Sequence, residues 1–172
     1  MNQVLRILLV VVLAVVVQST LLSRFRVAGV EIELVLLVAV LSALRAGPEM
    51  GAIVGFVGGL LYDTLLETPL GIAALSFCLT AYAIGSLRET FGEGDTRLLI
   101  MVGATGTATG VAVFAALGEI LGQSTMSDHP VGMIALIAGL CGGALAPLID
   151  PVVRWMVAPT WLATRPVSAP SG

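Results

Sequence analysis

The sequence predicts an all-α integral membrane protein, a bundle of about six transmembrane helices, and three observations carry that prediction. Hydrophobic residues make up 58% of the 172 positions and charged residues only 11%. With a mean hydropathy of +1.05, this lies far outside the range of soluble globular chains. The apolar residues fall into long runs near the ~17 to 25 residues that cross a bilayer. Those runs are continuous rather than alternating, which excludes an outer-membrane barrel and leaves helices as the spanning structure.

The runs follow in order. The first, Ile7 to Leu22, outlasts the apolar core of a signal peptide and ends at Ser23-Arg24-Phe25-Arg26 without a small-x-small cleavage site, so it is expected to be a retained helix. The second, Val30 to Leu44, is shortened by Glu31 and Glu33, and the third, Met50 to Leu66, is interrupted near its end by Asp63. These two are expected to be tilted or paired as a short hairpin. Leu70 to Leu87 and Leu98 to Gly122 are uninterrupted, and Val131 to Ile149 closes the set. Beyond it, Asp150-Pro151 cannot easily continue a straight helix, so residues 147–157 are expected to kink or turn into an interfacial segment anchored by Arg154 and Trp155.

The connections between runs, the longest being Arg88 to Arg97 and Gln123 to Pro130, are too short to hold a soluble domain. Residues 1–158 are therefore expected to form a single transmembrane helical domain. Residues 159–172, with Pro159, Pro166 and Pro170 among Ser, Thr and Ala, are expected to be a flexible cytoplasmic tail or to dock on a partner. All eight basic residues are arginines. With a cytoplasmic N-terminus, Arg6, Arg45, Arg88, Arg97, Arg154 and Arg165 fall inside and only Arg24 and Arg26 outside, as the positive-inside rule prefers. Both termini are thus predicted to be cytoplasmic.

Little in the inventory suggests catalysis. The single histidine, His129, lies in the loop Ser127-Asp128-His129-Pro130, badly placed to serve Ser76 or Cys78 within the membrane. Cys78 and Cys141 lie on different predicted helices, where a thiol behaves as a small apolar group. Donors for a metal are too few, and neither a metal, a cofactor nor a nucleic-acid partner is expected. Tyr62-Asp63 and Gly92-Glu93-Gly94-Asp95 imitate the paired carboxylates of intramembrane aspartyl proteases. Proton sharing needs both at one depth, and the predicted topology puts them on opposite sides.

What the chain does carry is a face for close helix packing. Gly51, Gly55 and Gly59 recur at four-residue steps towards Asp63, and Gly106 with Gly110, Gly118 with Gly122 and Gly139 with Gly143 repeat the spacing. In lipid, small residues let backbones approach and so supply packing that hydrophobic burial cannot. The stripe on the third helix is the best candidate for a partner or helix-packing surface. Asp63 is open to two readings there: it caps the adjoining turn Glu67-Thr68-Pro69, or it faces a neighbouring helix and accepts hydrogen bonds from it. Glu119 and Asp150 are expected to snorkel from helix ends towards water. Ser76, Thr80, Thr105, Thr107 and Thr109 are expected to bond back to their own helices.

Arg45-Ala46-Gly47-Pro48, then Gly51, the run Gly55-Phe56-x-x-Gly59-Leu60-x-x-Asp63, and Leu70-Gly71-x-x-Ala74-Leu75 resemble the signature of the MreD family of rod shape-determining proteins. The resemblance covers the second to fourth helices and singles out Gly51, Gly55, Phe56, Gly59, Leu60, Asp63 and Gly71. It implies a non-enzymatic inner-membrane scaffold of the bacterial cell-elongation machinery, helping to organise peptidoglycan synthesis. The implied partners are a single-span MreC-like protein and, through it, the glycosyltransferase RodA, its transpeptidase and MreB filaments. The family also resembles in fold the substrate-binding subunits of energy-coupling-factor vitamin transporters. The alternative function is therefore small-molecule binding, which would need polar groups converging on a cavity.

Overall fold

The computed structural model describes residues 3–22, 33–65, 71–88, 95–122 and 131–158. Six helices account for nearly all of them: α1 Gln3–Val17, continued by a π-helical turn Gln18–Leu22, α2 Leu34–Ala46, α3 Pro48–Asp63, α4 Ile72–Ser86, α5 Thr96–Ile120 and α6 Val131–Val157. The chain is an all-α integral membrane protein. Three stretches are long and apolar enough to cross a bilayer by themselves, Gln3–Thr20, Thr96–Ile120 and Val131–Val157. The others are shorter, with 13 residues in α2, 16 in α3 and 15 in α4.

The shortest helix forms the centre. Every residue of α2 from Leu34 to Ala43 is buried, and it packs against all five other helices. Its sequence, LVLLVAVLSALRA, is apolar around the whole circumference, as suits a helix surrounded on every side. Gly47, with φ of 102°, then reverses the chain in a single residue. That left-handed conformation is costly with a side chain, and Pro48 starts α3 where its missing N–H is no loss. The second and third runs thus pair as a tight hairpin. The most extensive pairings are α3 with α4 and α5 with α6, while α1 lies on the outside against α2, α3 and α6.

Of the two expectations for residues 147–157, a kink or a turn into an interfacial segment, the turn does not hold: α6 continues as helix through Pro147 and Pro151 to Val157, with Arg154 and Trp155 in its last turns. A proline removes one backbone donor and crowds one carbonyl, and within a membrane bundle neighbouring helices offset that loss. Ser23-Arg24-Phe25-Arg26, Glu31, Glu67-Thr68-Pro69, residues 92–94, His129 and the tail 159–172 lie outside the described residues.

Candidate functional site

At the heart of the family-like motif, the glycine stripe of α3 is occupied by this chain's own helices. A β-carbon placed at Gly51 would collide with Ala43 of α2. One at Gly55 would come within 2.7 Å of the Phe77 carbonyl oxygen of α4, and one at Gly59 within 2.5 Å of the Ala74 Cα. The groove that the spacing offers to a neighbouring helix therefore receives α2 and α4. Phe56 and Leu60 point the other way and are 48% and 42% exposed.

Asp63 completes the stripe. It is fully buried, and its carboxylate accepts from the backbone N–H groups of Gly71 at 2.8 Å and of Ala73 and Ala74 at 3.2 Å each. The first amides of any helix lack intrahelical acceptors. The residue at the N-cap of α4 is Gly71, with φ of 108° and no side chain to serve. Asp63, arriving from the previous helix, does so instead, and its charge suits the positive end of the α4 dipole. Asp63 thus accepts hydrogen bonds from a neighbouring helix, the second of its two readings, while the turn Glu67-Thr68-Pro69 of the first lies outside the described residues. Tyr62 beside it stacks on Phe77 with ring centroids 6.3 Å apart.

The same device recurs at a position that carries no capping signature. Gln18, 3% exposed in the π-helical turn of α1, accepts at its Oε1 from the Val35 N–H of α2 at 2.9 Å. Glu33, at the N-cap of α2, makes no side-chain cap.

The opposite end of the bundle holds the cations. Asp150 was expected to snorkel, but it is 4% exposed and saturated. Arg45 bonds it through Nε at 2.8 Å and Nη2 at 2.9 Å, and Arg154, one turn along α6, bonds it through Nε at 2.7 Å. Burying this carboxylate is tolerable because two guanidinium groups share it. On the adjoining side of α6, the Arg6 guanidinium lies 5.1 Å from the centre of the Trp155 ring and donates to the Trp155 carbonyl at 3.5 Å. Glu119 is exposed.

The groups considered for chemistry are spread through the bundle. Ser76 donates to the Gly110 carbonyl of α5 at 3.0 Å. Thr105 bonds back to Met101 at 2.7 Å, and Thr107 bonds back to Gly103 at 2.7 Å while also reaching Ala138 of α6 at 3.2 Å. Ser76 thus ties two helices instead of bonding back to its own, and the buried Thr80 hydroxyl, also expected to bond back, has no partner among the described residues. Cys78 and Cys141 are half-buried free thiols on α4 and α6. Asp63 precedes α4 and Asp95 follows it, where it caps α5 by accepting from the Arg97 N–H at 3.5 Å. The 15 residues of α4 hold the two carboxylates on the order of 20 Å apart along the axis, far beyond proton sharing. Among the described residues, no three His, Cys, Asp or Glu side chains come together.

A family model described as rod shape-determining protein MreD matches residues 1–126. No curated protein and no solved structure matches the chain.

Proposed function

Because the chain belongs to the MreD family, we propose that it is a non-enzymatic scaffold subunit of the cell-elongation complex, binding an MreC-like single-span protein and helping to organise peptidoglycan synthesis. The family match over residues 1–126 carries this reading. In it, the protein is a multi-pass component of the bacterial inner membrane, residues 1–158 forming the membrane domain and residues 159–172 a cytoplasmic tail. Both termini face the cytoplasm, and RodA, its transpeptidase and MreB filaments are reached through the single-span partner. The placement of the polar groups supports a scaffold over small-molecule binding, since Ser76, Thr105 and Thr107 spend their hydroxyls on backbone carbonyls instead of converging on one site.

Within the motif, the partner contact is assigned to Phe56 and Leu60, joined by Ile53 on the same outward face of α3. Gly51, Gly55, Gly59, Asp63 and Gly71 act from behind it by holding α3 against α2 and α4. Co-purification from membranes tests the assignment. The double substitution Phe56→Ala and Leu60→Ala is expected to lower retention of the MreC-like protein about tenfold, in line with truncating two central interface side chains, at unchanged folded yield. Normal retention would rule out this face. A bound vitamin-like ligand in the absence of any single-span partner would favour the transporter reading.

A further inference from the structure

We infer that the basic end of the α1–α6 seam binds an anionic phospholipid, its phosphate held by Arg6 and Arg154 and one acyl chain lying along the seam. Nothing in the scaffold reading requires this.

The argument starts from charge. Three guanidinium groups, those of Arg6, Arg45 and Arg154, gather around α6 with one carboxylate between them. Asp150 is used up: Arg45 takes both its oxygens and Arg154 takes one of them a second time. Arg154 still leaves 57% of its side chain exposed. Arg6 pairs with no carboxylate among the described residues. Its one hydrogen bond is long, at 3.5 Å, and its Nε is buried without a partner. Glu49, exposed on the first turn of α3 at this end, pairs with none of them. Among the described residues the seam thus has an uncompensated charge of about +2, three arginines against Asp150, beside the first amides of α1, which no intrahelical carbonyl satisfies. Both features suit a phosphate, which guanidinium groups and helix N-termini bind well.

A second, independent observation identifies the anion as a lipid. Below the arginines, Leu9 and Leu13 of α1 and Leu148 and Val152 of α6 are exposed large apolar side chains. They continue the seam away from the charged end, where an acyl chain attached to the bound phosphate would lie. Trp155, 44% exposed, stands at the level where indoles favour the membrane interface, and Arg6 covers its ring.

Thermal unfolding of the full-length protein in a neutral detergent tests the inference, titrated with phosphatidylglycerol, phosphatidylcholine or inorganic phosphate. Phosphatidylglycerol is expected to raise the unfolding midpoint in a saturable way, and the other two are not. Arg6→Gln and Arg154→Gln should each weaken the apparent affinity about fivefold, the effect of removing one cation near a headgroup. Arg88→Gln, at the same end but outside the seam, should leave it unchanged. Arg154→Gln keeps Asp150 bonded to Arg45, so it reads out binding even if Arg6→Gln folds poorly. Equal losses in all three variants would mean a diffuse basic surface and overturn the site. An equal midpoint shift with inorganic phosphate would overturn the lipid, and a shift with phosphatidylcholine would overturn the role of charge.

Discussion

A fully buried carboxylate among apolar helices persists only where donors fill its lone pairs. Asp63 receives three backbone N–H groups and in return closes the exposed amides of a helix that begins with glycine. The exchange is mutual, so removing the carboxylate strands the amides. Asp63→Ala is expected to cost about 1 to 3 kcal/mol, the penalty for buried donors left unsatisfied, seen as a lower unfolding midpoint in detergent. An unchanged midpoint would mean that water reaches the start of α4. The sequence made Asp63 conspicuous, but not what it touches, because its partners are backbone groups eight to eleven residues away across a turn. Asp150 was less legible. Its spacing to Arg154 is visible in the chain, but Arg45 lies 105 residues earlier, so the cage that allows burial forms only in the fold.

At the scale of elements, apolar runs located all six helices because length and continuity are one-dimensional properties. The role of the small residues was harder to read. A glycine every fourth residue announces a close approach, but it does not say whether the approaching helix belongs to the same chain. On α3 it does. Gly55→Leu would drive a side chain into the Phe77 backbone of α4, and backbone cannot step aside as a flexible side chain can. Folded yield is expected to fall, with a destabilisation of about 1 to 3 kcal/mol or more for overpacking. Normal yield with a lost partner would return this groove to intermolecular use. That α6 does not turn away at its prolines was illegible for the opposite reason: their local cost is certain, whereas the packing of α6 against α5 and α2 is invisible to a local rule. Gln18 was missed because a lone glutamine at the end of an apolar run carries no capping signature.

For the whole molecule, alternation of the six described helices brings Arg6, Arg45, Arg88, Arg97 and Arg154 to one end and the capping pairs Gln18–Val35 and Asp63–Gly71 to the other. On the positive-inside rule, the arginine end is expected to face the cytoplasm. Reporter fusions before Met1 and after Gly172 should both give cytoplasmic signals, and a periplasmic signal from either would invert this assignment or change the number of crossings.

The unequal helices have a further consequence, for the bilayer itself. Large apolar side chains are exposed on α3 only from Ile53 to Leu60 and on α4 only from Leu75 to Tyr82, about 10 Å of axis in each case at 1.5 Å per residue. On α6 they extend from Met133 to Trp155, about 33 Å, close to the hydrocarbon thickness of a typical membrane. Lipid beside α3 and α4 must thin to match, whereas lipid beside α6 need not, and each ångström of such mismatch carries a small cost. A helix docking on Phe56 and Leu60 displaces the strained lipid and relieves that cost. Partner binding on this face should therefore tighten as the protein is moved from bilayers of short acyl chains to longer ones, measurable by energy transfer between labelled subunits in vesicles. If affinity does not depend on chain length, the short face is not where the partner sits. If it rises, membrane thickness acts as a driving force for assembly, imposed by two helices whose lipid-facing stretch is too short for the layer they occupy.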